Sequence, residues 1–158
     1  MVSQGSIPCL QATKQIRLSF KVLLMRTIEN KICALISSGL QGQAFDRKLT
    51  KRDQVVSDGQ GKVEIFLWGT RVATVDGKAR KITVQNGGYQ TVTTKSRLNS
   101  ILWGVTADKP RIYQHKYVWF INVRDPLTND LISKEFSSGM SFDLSQPYVA
   151  LIQIFNNL

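Results

Sequence analysis

Between Val63 and Gln85 the apolar residues recur with a period of two, and turn residues interrupt them at short intervals. Val63, Ile65 and Leu67 alternate with Glu64, Phe66 and Trp68; Gly69-Thr70 breaks the run; Val72, Ala73 and Val75 resume it. Asp76-Gly77 is hairpin-turn chemistry, and Lys81 to Gln85 returns with Ile82 and Val84. A period of two puts alternate side chains on one face of a sheet, and turns this short force neighbouring strands antiparallel. The segment therefore predicts a three-strand meander. Asn86-Gly87-Gly88 is a further turn. Tyr89 to Thr94 is threonine-rich and β-prone. Lys95 to Leu102 predicts a short helix, with Thr93 or Thr94 as its N-cap and Leu98, Ile101 and Leu102 facing inward.

The flanking chain fits the same class. Residues 1–13 are polar and loose. Ile16, Leu18, Phe20, Val22 and Leu24 alternate with polar residues, as in a strand, although Leu23-Leu24-Met25 also suits the start of a helix. From Thr27 a helix is predicted, with Ile28, Ile32, Leu35 and Ile36 on one face, Glu29, Asn30 and Lys31 on the other, and Ser37-Ser38-Gly39 as its stop. Leu40 to Gly61 reads as a polar linker or long loop. Beyond Pro110, strands are expected at Ile112–Gln114, Tyr117–Val123, Leu131–Phe136 and Met140–Leu144, with Tyr148–Phe155 closing the core as a strand or short helix. A chain of 158 residues suggests one domain. The expected fold class is α+β: an N-terminal helix packed on an antiparallel meander sheet, with a short helix after the threonine-rich strand.

Charge bears on partners rather than on fold. The net charge is +10, and it is uneven: 19 Lys/Arg face 7 Asp/Glu up to Lys116, whereas 2 face 4 from Tyr117 onward. The excess favours nucleic acid or another polyanion. The two cysteines, Cys9 and Cys33, form no metal-binding or disulfide framework, so a reducing cytoplasm is the expected compartment. The apolar stretch Ile16–Leu24 contains Arg17 and Lys21, and it is too short for a membrane span and lacks signal-peptide features.

Catalytic signatures are missing from the sequence. His115 is the one histidine and cannot form a multi-histidine metal site. Asp46, Asp53, Asp58, Glu64, Asp76 and Asp108 stand mostly in turn contexts, and no pair has helical spacing for acid–base work or Mg²⁺. No phosphate-loop, nucleophile-elbow or metalloprotease pattern occurs. A binding protein with no cofactor and no metal is the expectation.

Three stretches, in order, resemble a family of small uncharacterised domains carried by bacteriophage and plasmid genomes. They are Met25-Arg26-Thr27-Ile28-Glu29-Asn30-Lys31, Leu67-Trp68-Gly69-Thr70-Arg71-Val72-Ala73, and Gly88-Tyr89-Gln90-Thr91-Val92-Thr93-Thr94-Lys95-Ser96-Arg97-Leu98-Asn99. The last is similar to a Gly-Trp-x-Thr-x-Thr-Thr-x-x-Arg-Leu-Asn pattern and is the specific one. The second is similar to a Leu-His-Gly-Asn-x-Ile-Ala strand, from which Trp68 and Thr70 depart, standing where His and Asn are usual. The resemblance implies a phage or mobile-element accessory protein in the host cytoplasm, with no implied catalysis. It also implies that residues 1–24 extend a single domain spanning 25–158, upstream of an internal start at Met25.

The candidate binding residues follow from these readings. Thr91, Thr93, Thr94, Lys95, Arg97 and Asn99 put hydroxyls and cations around a helix start, where phosphate is favoured. Tyr89 and Trp68 offer rings on which bases stack, and Arg47, Lys48, Lys51 and Arg52 form a cationic arm. The same residues also suit a structural junction: threonines as strand formers and cap, Arg97 and Asn99 as hydrogen-bonding ties. The first functional expectation is a non-enzymatic nucleic-acid-binding protein. The alternatives are a protein–protein module, as a phage structural component or an inhibitor of a host defence complex, and an enzyme on a nucleotide substrate.

Overall fold

The computed structural model describes residues 27–148. The predicted strand at Ile16–Leu24, the extension over 1–24, most of Tyr148–Phe155 and any pairing of Cys33 with Cys9 lie outside the described residues.

The chain forms helix α1 (Thr27–Leu40), strands β1 (Ala44–Lys48), β2 (Asp53–Asp58), β3 (Lys62–Leu67), β4 (Thr70–Asp76) and β5 (Lys81–Val84), helix α2 (Val92–Val105), then β6 (Arg111–His115), β7 (Val118–Arg124), β8 (Leu131–Glu135) and β9 (Met140–Asp143). Strands β1 to β5 pair in chain order and β9 adds beside β5, giving a six-stranded sheet in which every pair is antiparallel. Strands β6, β7 and β8 make a separate three-stranded antiparallel sheet. The α+β expectation holds, and the meander is longer than the three strands predicted.

One face of the large sheet carries Val55, Val63, Ile65, Leu67, Val75, Ile82 and Val84, all buried. Both Val72 and Ala73 are buried because the β3–β4 register shifts between Ile65 and Phe66, so that two successive residues turn inward. Helix α1 packs on β2 and β3, and α2 packs on α1, β4 and β6. The approach of α1 is close enough to require glycine: a Cβ on Gly39 would lie 2.4 Å from Cγ2 of Val63. The opposite face of the large sheet is polar and laterally paired, as in Arg71–Glu64 at 2.8 Å and Lys81–Asp143 at 2.7 Å.

Three sequence expectations are corrected. Leu40–Gly61 is mostly the β1–β2 hairpin rather than a linker. Its inward positions include Asp53 and Ser57, which hide the alternation; Ser57 is satisfied by donating to the Gln43 carbonyl at 2.6 Å. The threonine run is no strand. Thr91 is the N-cap of α2, its Oγ1 accepting the Thr94 N–H at 3.1 Å, and the helix runs on through Trp103-Gly104. Glu29, expected on the outer side of α1, is buried.

Tyr148 closes the core beside α1 and is fully buried. Burial pushes its phenol up to about 12, against the opposing effect of a hydrogen bond with Ser37. Folding therefore favours the neutral phenol. That contribution is complete below pH ~10 and is lost as pH rises towards 12, about 2–3 kcal/mol in all. Tyr148→Phe is expected to flatten the fall in urea midpoint across this window; an unchanged slope in the variant contradicts the assignment.

Candidate nucleic-acid interface at the hairpin tips

Antiparallel order brings alternate turns to the same edge of the sheet. Asp53 is opposite Leu67, and Leu67 is opposite Thr70, so the β1–β2 tip (49–52), the Trp68-Gly69 tip and the 85–91 loop after β5 share one edge. The Trp68 N–H donates to the Arg52 carbonyl at 2.8 Å and ties the first two tips together. Both helices begin at this edge, because Glu29 in the first turn of α1 and Arg97 near the start of α2 meet at Asp53.

That meeting is a buried ion network. Arg97 Nε donates to Asp53 Oδ1 at 2.7 Å, Nη2 to Oδ2 at 3.4 Å, and Nη1 to Glu29 Oε2. The Thr50 hydroxyl donates to Asp53 Oδ2 at 2.6 Å and accepts the backbone N–H groups of Arg52 and Asp53. Arg52 Nε lies 3.5 Å from Asp53 Oδ2. Burial raises the Asp53 carboxyl, but the Arg97 hydrogen bond, the Thr50 hydroxyl and the charges of Arg97 and Arg52 together hold it below its ordinary value. Burial likewise lowers Arg97, and its hydrogen bond to Asp53 with the charges of Glu29 and Asp53 raise it overall. Two carboxylates thus share one buried guanidinium, with Arg52 adding a second cation from the surface side.

Above the network is a cleft of about 450 Å³. Leu67, Trp68, Thr70 and Val72 line it from the β3–β4 hairpin; Asn86, Tyr89, Thr91, Thr93 and Thr94 line it from the 85–91 loop and the start of α2. The loop can approach because residue 87 is glycine: φ is +69° there, and a Cβ would lie 2.5 Å from Cγ2 of Thr70. Trp68 and Tyr89 are 68% and 67% exposed, and among the described residues neither ring stacks on another aromatic. Trp68 has φ 53° and Gly69 φ 77°, so a bulky ring occupies a left-handed turn position that glycine, asparagine or aspartate fills most cheaply. Trp68 also borders a second groove with Thr50, Lys51 and Arg52.

The structure divides the sequence candidates into two groups. Trp68, Tyr89, Thr91 and Thr93 line one cleft, and Arg47, Lys48, Lys51 and Arg52 lie on the adjoining hairpin. Lys95 is half-buried on α2. Arg97, Thr94 and Asn99 are engaged within the fold. Arg97 and Thr94 are buried, and the guanidinium is committed to Asp53 and Glu29. The Asn99 carboxamide accepts the Ile112 N–H at 2.7 Å and donates to its carbonyl at 2.9 Å, pinning β6 to α2. Glu29, Asp53 and Thr50 are the partners that sequence reasoning missed. A start of α2 at Val92 places Thr94, Arg97, Leu98 and Ile101 on one helical face, and that periodicity was the available signal.

A family profile described as Kyanoviridae Gp96 protein matches residues 25–143. The chain belongs to the Kyanoviridae Gp96 protein family. The matched span contains both helices and all nine strands named above among the described residues, and the whole of the cleft of this Gp96-family domain, and it makes the domain phage-encoded. No curated protein and no solved structure matches the chain. Among the described residues no helix is long and apolar enough to cross a membrane.

Proposed function

We propose that this Gp96-family protein is a non-enzymatic phage accessory protein that binds nucleic acid at the hairpin-tip edge, in the cytoplasm of the host. The observation that supports it best is the coincidence at one edge of two exposed aromatic rings bordering a cleft and four cations on the hairpin beside it. Phosphates supply the attraction for the cations, and rings supply stacking energy for bases. The chain's net charge of +10 adds long-range steering.

Position, rather than total charge, is what the reading predicts. Lys48→Ala/Lys51→Ala and Lys116→Ala/Lys134→Ala each remove two positive charges, the first pair from the cationic hairpin and the second from the small sheet. The hairpin variant is expected to lose about tenfold or more in affinity for a labelled oligonucleotide at low salt, and the small-sheet variant much less. Equal losses would mean that binding follows net charge only.

A second reading rests on the small sheet. All five residues of β8 are exposed, including Leu131 and Ile132, and β8 is an edge strand among the described residues. Such an edge suits a protein partner, either in a phage assembly or in a host defence complex. A stoichiometric complex that survives high salt favours this reading over the first.

A further inference from the structure

We infer that the cleft between Trp68 and Tyr89 takes one unpaired base of a single strand, whose flanking phosphates lie on the Lys51–Arg52 side of the Trp68 ring. The inference rests on the nucleic-acid reading and narrows it to single strands. The volume of about 450 Å³ falls within the range of small-ligand sites, roughly 300–1,000 Å³, and leaves room for a planar base with part of its sugar. Leu67 and Val72 give the cleft an apolar floor, while Thr70, Thr91, Thr93 and Asn86 supply polar groups at its rim. Asn86 is held in place: its Oδ1 accepts the Gly88 N–H at 2.8 Å and the Ser138 hydroxyl at 3.3 Å. Its carboxamide nitrogen then has no partner among the described residues and is left as a donor for a base acceptor.

Trp68 sets the path of the strand across the site. It is shared by the cleft and by the groove of about 270 Å³ lined by Thr50, Lys51 and Arg52. A ring between an aromatic-walled cleft and two cations matches the alternation of base and phosphate along a single strand. A paired base has its Watson–Crick edge occupied and both faces stacked on its neighbours, so it offers no free face to the rings and a duplex has access only to the cations.

The test compares a labelled short oligothymidylate, its oligouridylate counterpart, an abasic strand of the same length and a duplex with the same number of phosphates, all at low salt. The base-bearing single strands are expected to bind about tenfold or more tightly than the abasic strand and the duplex. Trp68→Ala and Tyr89→Ala are each expected to lower oligothymidylate affinity by about tenfold while leaving abasic-strand binding unchanged. Tyr89 lies outside the hairpin turn, so its variant keeps the test informative if Trp68→Ala unfolds. The uridylate arm separates RNA from DNA as the natural strand. If the duplex and abasic strand bind as tightly as oligothymidylate, or neither aromatic variant weakens binding, the inference is overturned, although hairpin-dependent binding still stands. If no strand binds, both the inference and the nucleic-acid reading fall.

Discussion

Replacing Arg97 by methionine is expected to destabilise the fold by about 3–5 kcal/mol, the range for removing one partner of a buried ion pair. The guanidinium is 9% exposed, and the carboxylates it pairs are 7% (Glu29) and 1% (Asp53) exposed. Without it both carboxylates lose their shared buried cation, and only Asp53 keeps one nearby, Arg52 on the surface side. Glu29 Oε1 already lacks a hydrogen bond, so no reserve partner exists on that side. The loss also unties three elements at once, because Arg97 on α2 reaches Glu29 on α1 and Asp53 on β2. Adding Glu29→Gln and Asp53→Asn to Arg97→Met is expected to recover much of the loss by removing the stranded charges. A similar result for the single and triple variants would show that shape, not charge, governs the site. The acid limb follows with a definite sign. The folded-state value of Asp53 is depressed, so its contribution is present above the unfolded value of about 3.9 and is lost as pH falls through the lower folded value. Asp53→Asn should therefore show a shallower loss of stability below pH ~4 than the wild-type protein.

Trp119→Ala is expected to cost a comparable amount, about 3–5 kcal/mol. Its side chain is fully buried in β7 and meets the Phe136 ring edge-on with centroids 5.5 Å apart. The three-stranded sheet has few other anchors: Ile112, Ile121 and Phe136 are the buried apolar residues that it and its exit contribute. The rest of the sheet is exposed or half-buried, including the outward stack of Tyr113 on Phe120 at 5.7 Å. Deleting the indole leaves a large cavity in the core beside Phe136. Trp119→Phe should cost far less, since the indole Nε1 has no hydrogen-bond partner to lose. Equal destabilisation by Ala and Phe, measured by urea unfolding, would contradict this account of the packing.

The sequence showed the meander because its inward positions are apolar in β3, β4 and β5. It concealed the β1–β2 hairpin, where Asp53 and Ser57 take two of the inward places. The compensation for Asp53 lies 44 residues away at Arg97, and Arg97 in turn reaches Glu29 across 68 residues. Such pairings have no local signature. Thr91, Thr93 and Thr94 were misleading for a different reason. β-Branched residues favour strands, but a threonine hydroxyl that caps the following turn outweighs that preference. Of the residues named as a phosphate site, Arg97 and Asn99 are bonded within the fold, and Thr91, Thr93 and Thr94 at the start of α2 line the cleft. The stretch is therefore both a junction and one wall of the candidate site.

The salt dependence of binding tests the central proposal most directly. Affinity of the purified chain for a short single-stranded oligonucleotide is measured across a salt series and plotted on logarithmic axes. The proposal predicts a straight, steep fall, with a slope of about −0.7 for each phosphate neutralised and a shallower slope for Lys48→Ala/Lys51→Ala. Undetectable binding at low salt, or an affinity indifferent to salt, would contradict it.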